Sequence, residues 1–292
     1  MAHHTARPLA ESEPALKPKG KGAGKRLVEI PWWFIGIMVI ALWAAFTILT
    51  SANYRQAFSW IIVGITVTIR TSLAAYAIAI VLGLITGLGR ISSNVVFHNA
   101  ARMYVELVRG IPMLVLIFFI ALVGVPMAVG VFNSLGAWLI SIGLEGLGTT
   151  LTSMSNQAVP MNIRAIIALS VTYGAFLAEI FRAGIQSIGR GQMEAARSLG
   201  MSNGGAMRYV ILPQAIRNVL PALGNDFVAM VKDSSLVSIL AVRDITQVAR
   251  LYAGSTFRFR EAYVTLSVMY LTMTLVLSLA VQQFERRLRK ND

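Results

Sequence analysis

Lys232 and Asp233 sit side by side near the end of a stretch, Val219 to Val242, that is otherwise apolar enough to cross a bilayer and also carries Asp226. An ionisable group at bilayer depth costs a few kcal/mol on insertion scales, and such groups face a partner or a water-filled path. Neighbouring helical residues point about 100° apart, so Lys232 and Asp233 are poorly placed to neutralise each other. Two uses stay open. Lys232 can face a solute carboxylate and Asp233 its ammonium, with Ser234 and Ser235 beside them, or both can bond to other helices and brace the fold. Arg70 interrupts a second apolar run and carries the same ambiguity, a tie to another helix or part of a path. Glu106 with Arg109, and Glu179 with Arg182, are spaced i,i+3 and so should meet on one helix face. Their position near the ends of apolar runs suits bracing or a gate better than bond-making chemistry.

Residue types for catalysis are missing. The chain has no cysteine, which removes disulfides, thiolate metal sites and a cysteine nucleophile. His3, His4 and His98 are scattered, and no metal-ligand set or nucleophile–base arrangement is visible. Gly20 to Lys25 superficially resembles a phosphate-binding loop, but Lys19 stands where its first glycine belongs and Arg26 where its Ser/Thr belongs. No enzymatic activity and no bound cofactor are expected of the chain itself.

The elements that must position these charges are apolar helices. Of 292 residues, 56% are hydrophobic and 13% charged, against about a quarter charged in a soluble domain; mean hydropathy is +0.66. The net charge of +13 is laid out in clusters that alternate with apolar runs. That is the pattern of loops on the cytoplasmic side of a membrane, and it argues against nucleic acid. Residues 1–31 read as a disordered basic tail able to touch anionic lipid. Trp32 to Thr50 is charge-free and long enough for one span, too late and too long for a signal peptide. Further spans are expected at Ile61–Gly89, from Met103 to about Val125, at Ile163–Phe181, at Val219–Val242 and at Ala262–Phe284, the last closed by a basic stop. Gly83 and Gly87 have the spacing that lets two helices approach closely.

Between the third and fourth spans, Val129 to Met161 is apolar, glycine-rich and almost uncharged. Parity decides its place: another crossing would put the basic 182–217 segment outside, against the charge bias. It is therefore expected as an external insert, about 129–161. The result is a multi-pass protein of six spans with both termini cytoplasmic. Eighteen Lys and Arg lie inside against six outside, with Arg70 and Lys232 within spans.

One loop carries a specific pattern: Glu194-Ala195-Ala196-Arg197-Ser198-Leu199-Gly200, nine residues, then Val210-Ile211-Leu212-Pro213. Glu194 to Leu199 are mostly good helix formers, and Gly200 suits the left-handed residue that closes a helix. Ser202 can cap the next helix, and Pro213 limits how the chain re-enters the membrane. Two small alanines beside a carboxylate form a knob able to enter a groove on a partner. By itself the segment would also fit an ordinary solvated hairpin.

With Gly200 and Leu212-Pro213 in register, the loop resembles the EAA signature of permease subunits in binding-protein-dependent ABC importers. The chain is more narrowly similar to the polar amino acid branch, which includes the histidine and glutamine permeases. The supporting segments are Tyr104–Pro112, Gly174–Arg182, Leu212–Arg217 and Lys232–Leu236, and the resemblance covers about residues 60–290. It implies an all-α integral membrane protein of the bacterial cytoplasmic (inner) membrane, with a five-helix permease core plus the added helix at 32–50. It also implies a cytoplasmic coupling loop, about 186–217, in which Glu194–Gly200 docks on an ATPase. The implied partners are two cytoplasmic ATPases, which hold ATP and magnesium, a second permease subunit, an external substrate-binding protein and an amino acid. Within that reading, Lys232 and Asp233 would meet the amino acid's carboxylate and ammonium. The alternatives are a permease for another small polar solute or a secondary transporter. The added helix with its tail, the long insert and Asn203-Gly204-Gly205 depart from the family's pattern.

Overall fold

The computed structural model describes residues 32–289, and among them every regular element is helical. The basic tail expected over 1–31 lies outside the described residues. The chain divides into two units between Ala45 and Phe46. What is described of the first is the start of α1, Trp32–Thr50, the charge-free helix expected there.

In the second unit, α2 (Ala52–Ile61) continues through a 3₁₀ turn into α3 (Ile65–Arg90), giving an apolar rod of 39 residues. At 1.5 Å per residue its charge-free part, Thr71 to Gly89, rises about 28 Å, close to the roughly 30 Å of a hydrocarbon core. Arg70 and Arg90 stand at the two ends of that charge-free run.

The third span differs from expectation. Instead of one helix from 103 to 125, α4 (Val95–Gly110) stops at Ile111, whose φ −106° and ψ 136° are extended. Pro112 enforces that break, because its ring disfavours the helical region for the residue before it. The membrane-length helix starts afterwards and covers Met113–Ser141: α5 (Met113–Phe119), a π turn (Ile120–Gly124) and α6 (Val125–Ser141). Residues 129–141, expected as part of the insert, thus continue this span. The remainder holds α7 (Glu145–Thr152), which packs back on α6 so closely that a Cβ on Gly136 would lie 2.7 Å from the Gly148 carbonyl oxygen.

The π turn has a local cause. The Val125 N–H bonds the Ile120 carbonyl, so in that register Ala121 would look to residue 126, a proline without an N–H. Arg164 supplies the missing donor, its Nη1 lying 3.0 Å from the Ala121 oxygen. It begins α8 (Met161–Gln186), the most buried long helix, and it also donates to the Val159 carbonyl at 2.9 Å and to Asn156. One buried cation thereby fastens the end of the insert to the third span.

Helices α3 and α8 form the centre. A Cβ on Gly83 would stand 2.6 Å from Leu177 Cβ, and one on Gly87 would stand 2.9 Å from the Ala178 oxygen, so the expected close approach is made here. Ala79, Leu169, Leu177 and Phe181 fill the seam. The chain then runs through α9 (Arg190–Ser198), α10 (Asn203–Ala206), a second π turn (Met207–Ile211), α11 (Leu212–Asp233), a 3₁₀ segment (Ser234–Leu240), α12 (Ile245–Thr256) and α13 (Phe259–Arg289). Among the described residues, four helices have the length and apolarity to cross a membrane: 52–90, 113–141, 161–186 and 259–287. Helix α1 is apolar over the shorter Ile35–Thr50, and α11, with Arg217, Asp226, Lys232 and Asp233, is not among the four.

Candidate functional site

The Glu-Ala-Ala segment lies on α9 and is closed by local hydrogen bonds. Gly200 takes φ +84°, the left-handed position that glycine adopts without penalty. The Gly200 N–H bonds the Arg197 carbonyl at 2.9 Å and the Met201 N–H bonds the Ala196 carbonyl at 3.2 Å, together a Schellman end. Ser202 Oγ then accepts the Gly205 N–H at 3.1 Å and starts α10, as its side chain suggests. Asn203-Gly204-Gly205 is helical despite its glycines. Pro213 follows a π turn in which the Leu212 N–H bonds the Met207 carbonyl, so α10 and α11 join without a full break.

This hairpin stands on a small core of its own. Ile185, Ile211 and Ala215 are buried, with Leu88, Ile188 and Met207 packed around them. It is thus seated on the ends of α3 and α8 and at the root of α11. Glu194 and Ala195 are exposed, and Leu199 is 84% exposed at the tip. Ala196, expected beside Ala195 as part of an outward knob, is only 4% exposed and faces this chain's own interior. The exposed residues of the segment are Glu194, Ala195, Arg197, Ser198 and Leu199.

Directly above the hairpin lies a network of charges. Glu179 meets Arg182 at 2.7 Å, the expected i,i+3 pair, and also Arg90 of α3 at 3.0 Å. Arg182 reaches Gln186 as well. Glu106 does not complete the expected pair with Arg109. It lies 3.8 Å from Arg90 and 4.0 Å from Arg102, while the Arg109 guanidinium sits 5.7 Å above the Phe176 ring. An i,i+3 spacing shows only one helix, and Arg90 comes from another.

Lys232 and Asp233 diverge as the helical geometry requires. The Tyr173 hydroxyl donates to Asp233 Oδ2 at 2.7 Å, so this carboxylate braces α11 against α8. Lys232 is exposed on the single chain, Ser235 is half-buried, and buried Ser234 donates to the Val231 carbonyl at 2.8 Å. Arg70 is exposed on α3.

At the end of the bundle away from the hairpin, sequence reasoning passed over Asp244. It is fully buried and caps α12, accepting the Gln247 N–H at 2.8 Å. Burial pushes its carboxyl up to about 6, against hydrogen bonds from Gln247 and Thr246 that pull it down. The signal was present, since Asp244 and Gln247 have capping-box spacing. Arg164 was missed too, and a lone charge at a helix start gave little warning of its carbonyl cage.

A bundle of membrane-length helices with an exposed hairpin mounted on its ends is the architecture of a membrane permease component. The profile described as "Binding-protein-dependent transport system inner membrane component" matches residues 79–290, and the chain belongs to that family. It is 34% identical over 235 residues to the probable amino-acid permease protein YxeN of Bacillus subtilis, covering 80% of this chain and 94% of that protein. It is 36% identical over 234 residues to the probable glutamine ABC transporter permease protein GlnM of the same organism, covering 80% and 95%. The crystal structure of an amino acid ABC transporter with histidines superposes with a TM-score of 0.64 at 36% identity, covering 82% of this chain and 97% of that one. The chain is therefore a multi-pass inner-membrane permease subunit.

Proposed function

We propose that this chain is the membrane path of an ATP-driven importer for a polar amino acid, with ATP hydrolysed by separate subunits. The observation that carries the reading is the hairpin, whose outward face is exposed while its inward face is tied to α3, α8 and α11. ATP binding elsewhere can bias the permease only through a contact whose free energy differs between its two states. A short helix seated in a groove of an ATPase is such a contact. The names of the similar proteins, an amino-acid permease and a glutamine permease, support the solute class. The assembly is two ATPases, this chain paired with a second permease subunit, and an external binding protein.

In this reading the hairpin end is cytoplasmic, as are both termini, and the insert around 145 is external. The native chain has no cysteine, so single replacements report sides cleanly. Glu145→Cys should react with an impermeant maleimide in intact cells, and Asn203→Cys only after permeabilisation. Reversed labelling overturns the topology. Uptake into vesicles that requires both the ATPase and ATP tests the drive, and uptake that persists on an ion gradient alone overturns it. Lys232, turned away from its own chain, is the residue that meets the solute carboxylate, whereas Asp233 is already engaged by Tyr173.

A further inference from the structure

The pair of helices α6 and α7 is more apolar than an insert standing in water would be. Across residues 113–160, Glu145 is the only ionisable side chain. On α6, Met127, Val131, Phe132, Leu135 and Trp138 are all exposed, and Leu147 continues the surface on α7; Val131 is 64% and Leu147 65% exposed. At about 100° per residue, the exposed positions from Ala137 round to Phe132 cover about 220° of α6. Ser134 and Ser141 are the only polar side chains among them. A helix apolar over so wide an arc is not one that water surrounds.

The pair also asks little of water. All five hydroxyls of α6 and α7 turn back onto their own helices. Ser134 donates to the Gly130 carbonyl at 3.0 Å and Ser141 to the Trp138 carbonyl at 2.6 Å. Thr149, Thr150 and Thr152 donate to the carbonyls of Glu145, Gly146 and Gly148 at 2.8, 2.9 and 2.9 Å. No hydroxyl donor is then left for solvent to satisfy, which is what hydrocarbon requires. The turn closes in the same way: Gly143 takes φ +89°, its N–H bonds the Ile140 carbonyl at 3.0 Å, and the Leu144 N–H bonds the Leu139 carbonyl at 3.0 Å. What remains for water is the first turn of α7, whose opening N–H groups have no partner within the helix, and Glu145 lies there.

Length points the same way. Met113–Ser141 has 29 residues, about 43 Å at 1.5 Å per residue, against a hydrocarbon core of about 30 Å. A span so long tilts or bends, and the π turn at Ile120–Gly124, with Pro126 after it, is where a helix bends.

We propose that α6 and α7 lie in the lipid of the outer leaflet, leaning over from the third span, with the apolar arc against acyl chains and the Glu145 turn at the water boundary. The choice of leaflet rests on the topology proposed above; the contact with lipid does not. A protein partner fits this surface less well. An interface has a polar rim around its apolar core, whereas this arc takes in more than half of α6 and carries no charge. Arg164, bonded to the Ala121 and Val159 carbonyls, then fastens a lipid-bedded element to the start of α8.

The test uses the assembled transporter in nanodiscs, with a nitroxide on single cysteines placed in the cysteine-free chain: Val131→Cys, Leu147→Cys and Glu145→Cys. All three positions are exposed, so each bears a label without repacking. Collision with oxygen, which concentrates in hydrocarbon, is compared with collision with a water-soluble nickel chelate. The oxygen-to-nickel ratio at 131 and 147 should exceed that at 145 several-fold. A nickel preference at 131 and 147 places the pair in water and overturns the proposal. Low collision with both probes marks a covering protein, a second copy included, and overturns it equally. Either result leaves the importer reading standing, because that reading is checked by ATP-driven uptake of the same labelled complexes in vesicles. If the Glu145→Cys thiol reacts with impermeant maleimide only in permeabilised cells, the outer-leaflet placement and the topology fall together.

Discussion

Replacing Glu179 with Gln isolates what the charge network contributes. The Glu179 carboxylate receives Arg182 at 2.7 Å and Arg90 at 3.0 Å, and the three side chains are 18%, 30% and 15% exposed. Removing its charge leaves two guanidiniums, from α3 and α8, facing one amide where water screens them poorly. Breaking a buried pair costs about 3–5 kcal/mol, and the partial exposure of Arg182 puts this case near about 3 kcal/mol. Glu106→Gln is the internal control. Its carboxylate is 67% exposed and lies 3.8 and 4.0 Å from its arginines, so its loss should cost no more than about 0.5 kcal/mol. At about 2–4 °C per kcal/mol for a chain of this size, Glu179→Gln should lower the unfolding midpoint of the purified complex by about 6–12 °C, and Glu106→Gln by less than about 2 °C. Arg90→Met/Glu179→Leu, which removes a charge of each sign, should regain much of the loss. Equal shifts for the two single variants would refute the assignment of Glu179 as the hub.

The hairpin's two alanines should part company: Ala195→Trp, on the exposed face, should fold but lose stimulation of ATP hydrolysis and uptake, whereas Ala196→Trp, in the interior, should fail to assemble. Equal assembly of the two would contradict the burial difference. Asp244 makes stability pH-dependent, because its folded carboxyl titrates near 6 and its ordinary value is 3.8. Between those values the folded state holds a proton that the unfolded state releases, so stability falls as pH rises through the window, by at most about 3 kcal/mol, and is flat above it. Asp244→Asn keeps a capping oxygen and should flatten that slope in thermal melts from pH 4 to 7. Lys232→Met should abolish most uptake while leaving assembly with the ATPase intact, and wild-type uptake by the assembled variant would remove Lys232 from the path. Tyr173→Phe deletes the hydroxyl that holds Asp233 and should reduce uptake by a smaller factor, measured in the same vesicles.

The sequence was most informative where structure is local. Gly200, Ser202 and the Gly83/Gly87 spacing each act within a few residues or through the absence of a side chain, and each does what its chemistry suggests. It was least informative where a partner arrives from another helix. Glu106 looked as well paired as Glu179, because the i,i+3 rule sees one helix and Arg90 belongs to a different one. Ala195 and Ala196 looked equivalent because both are small, and only the packing of α9 on Met207 and Ile211 gives them opposite faces. The third span was misplaced for a different reason. The strongly apolar run begins only at Met113, after Glu106, Arg109 and the Ile111-Pro112 break, and those signals were legible but outweighed by the apolar residues around them.

The packing also indicates how a push on the hairpin would divide. Helices α3 and α8 are locked together by the contacts at Gly83 and Gly87 and by Arg90 on Glu179, so they resist sliding. Helix α11 leaves the hairpin through a π turn ahead of Pro213, and it carries a second proline, Pro221, within its length. Prolines and π turns are where helices bend, because a backbone hydrogen bond is missing or lengthened there. Force entering at α9 should therefore move α11 against the α3–α8 pair and leave the pair itself unchanged. Bonds that cross that seam include the Tyr76 hydroxyl to the Leu223 carbonyl, the Asn218 side chain to Ser187 Oγ, and the Tyr173 hydroxyl to Asp233. The Tyr173 bond sits one residue from Lys232. A shift of α11 thus changes the setting of the exposed cation first, and on the proposed reading that would connect the hairpin to the place where a solute is held.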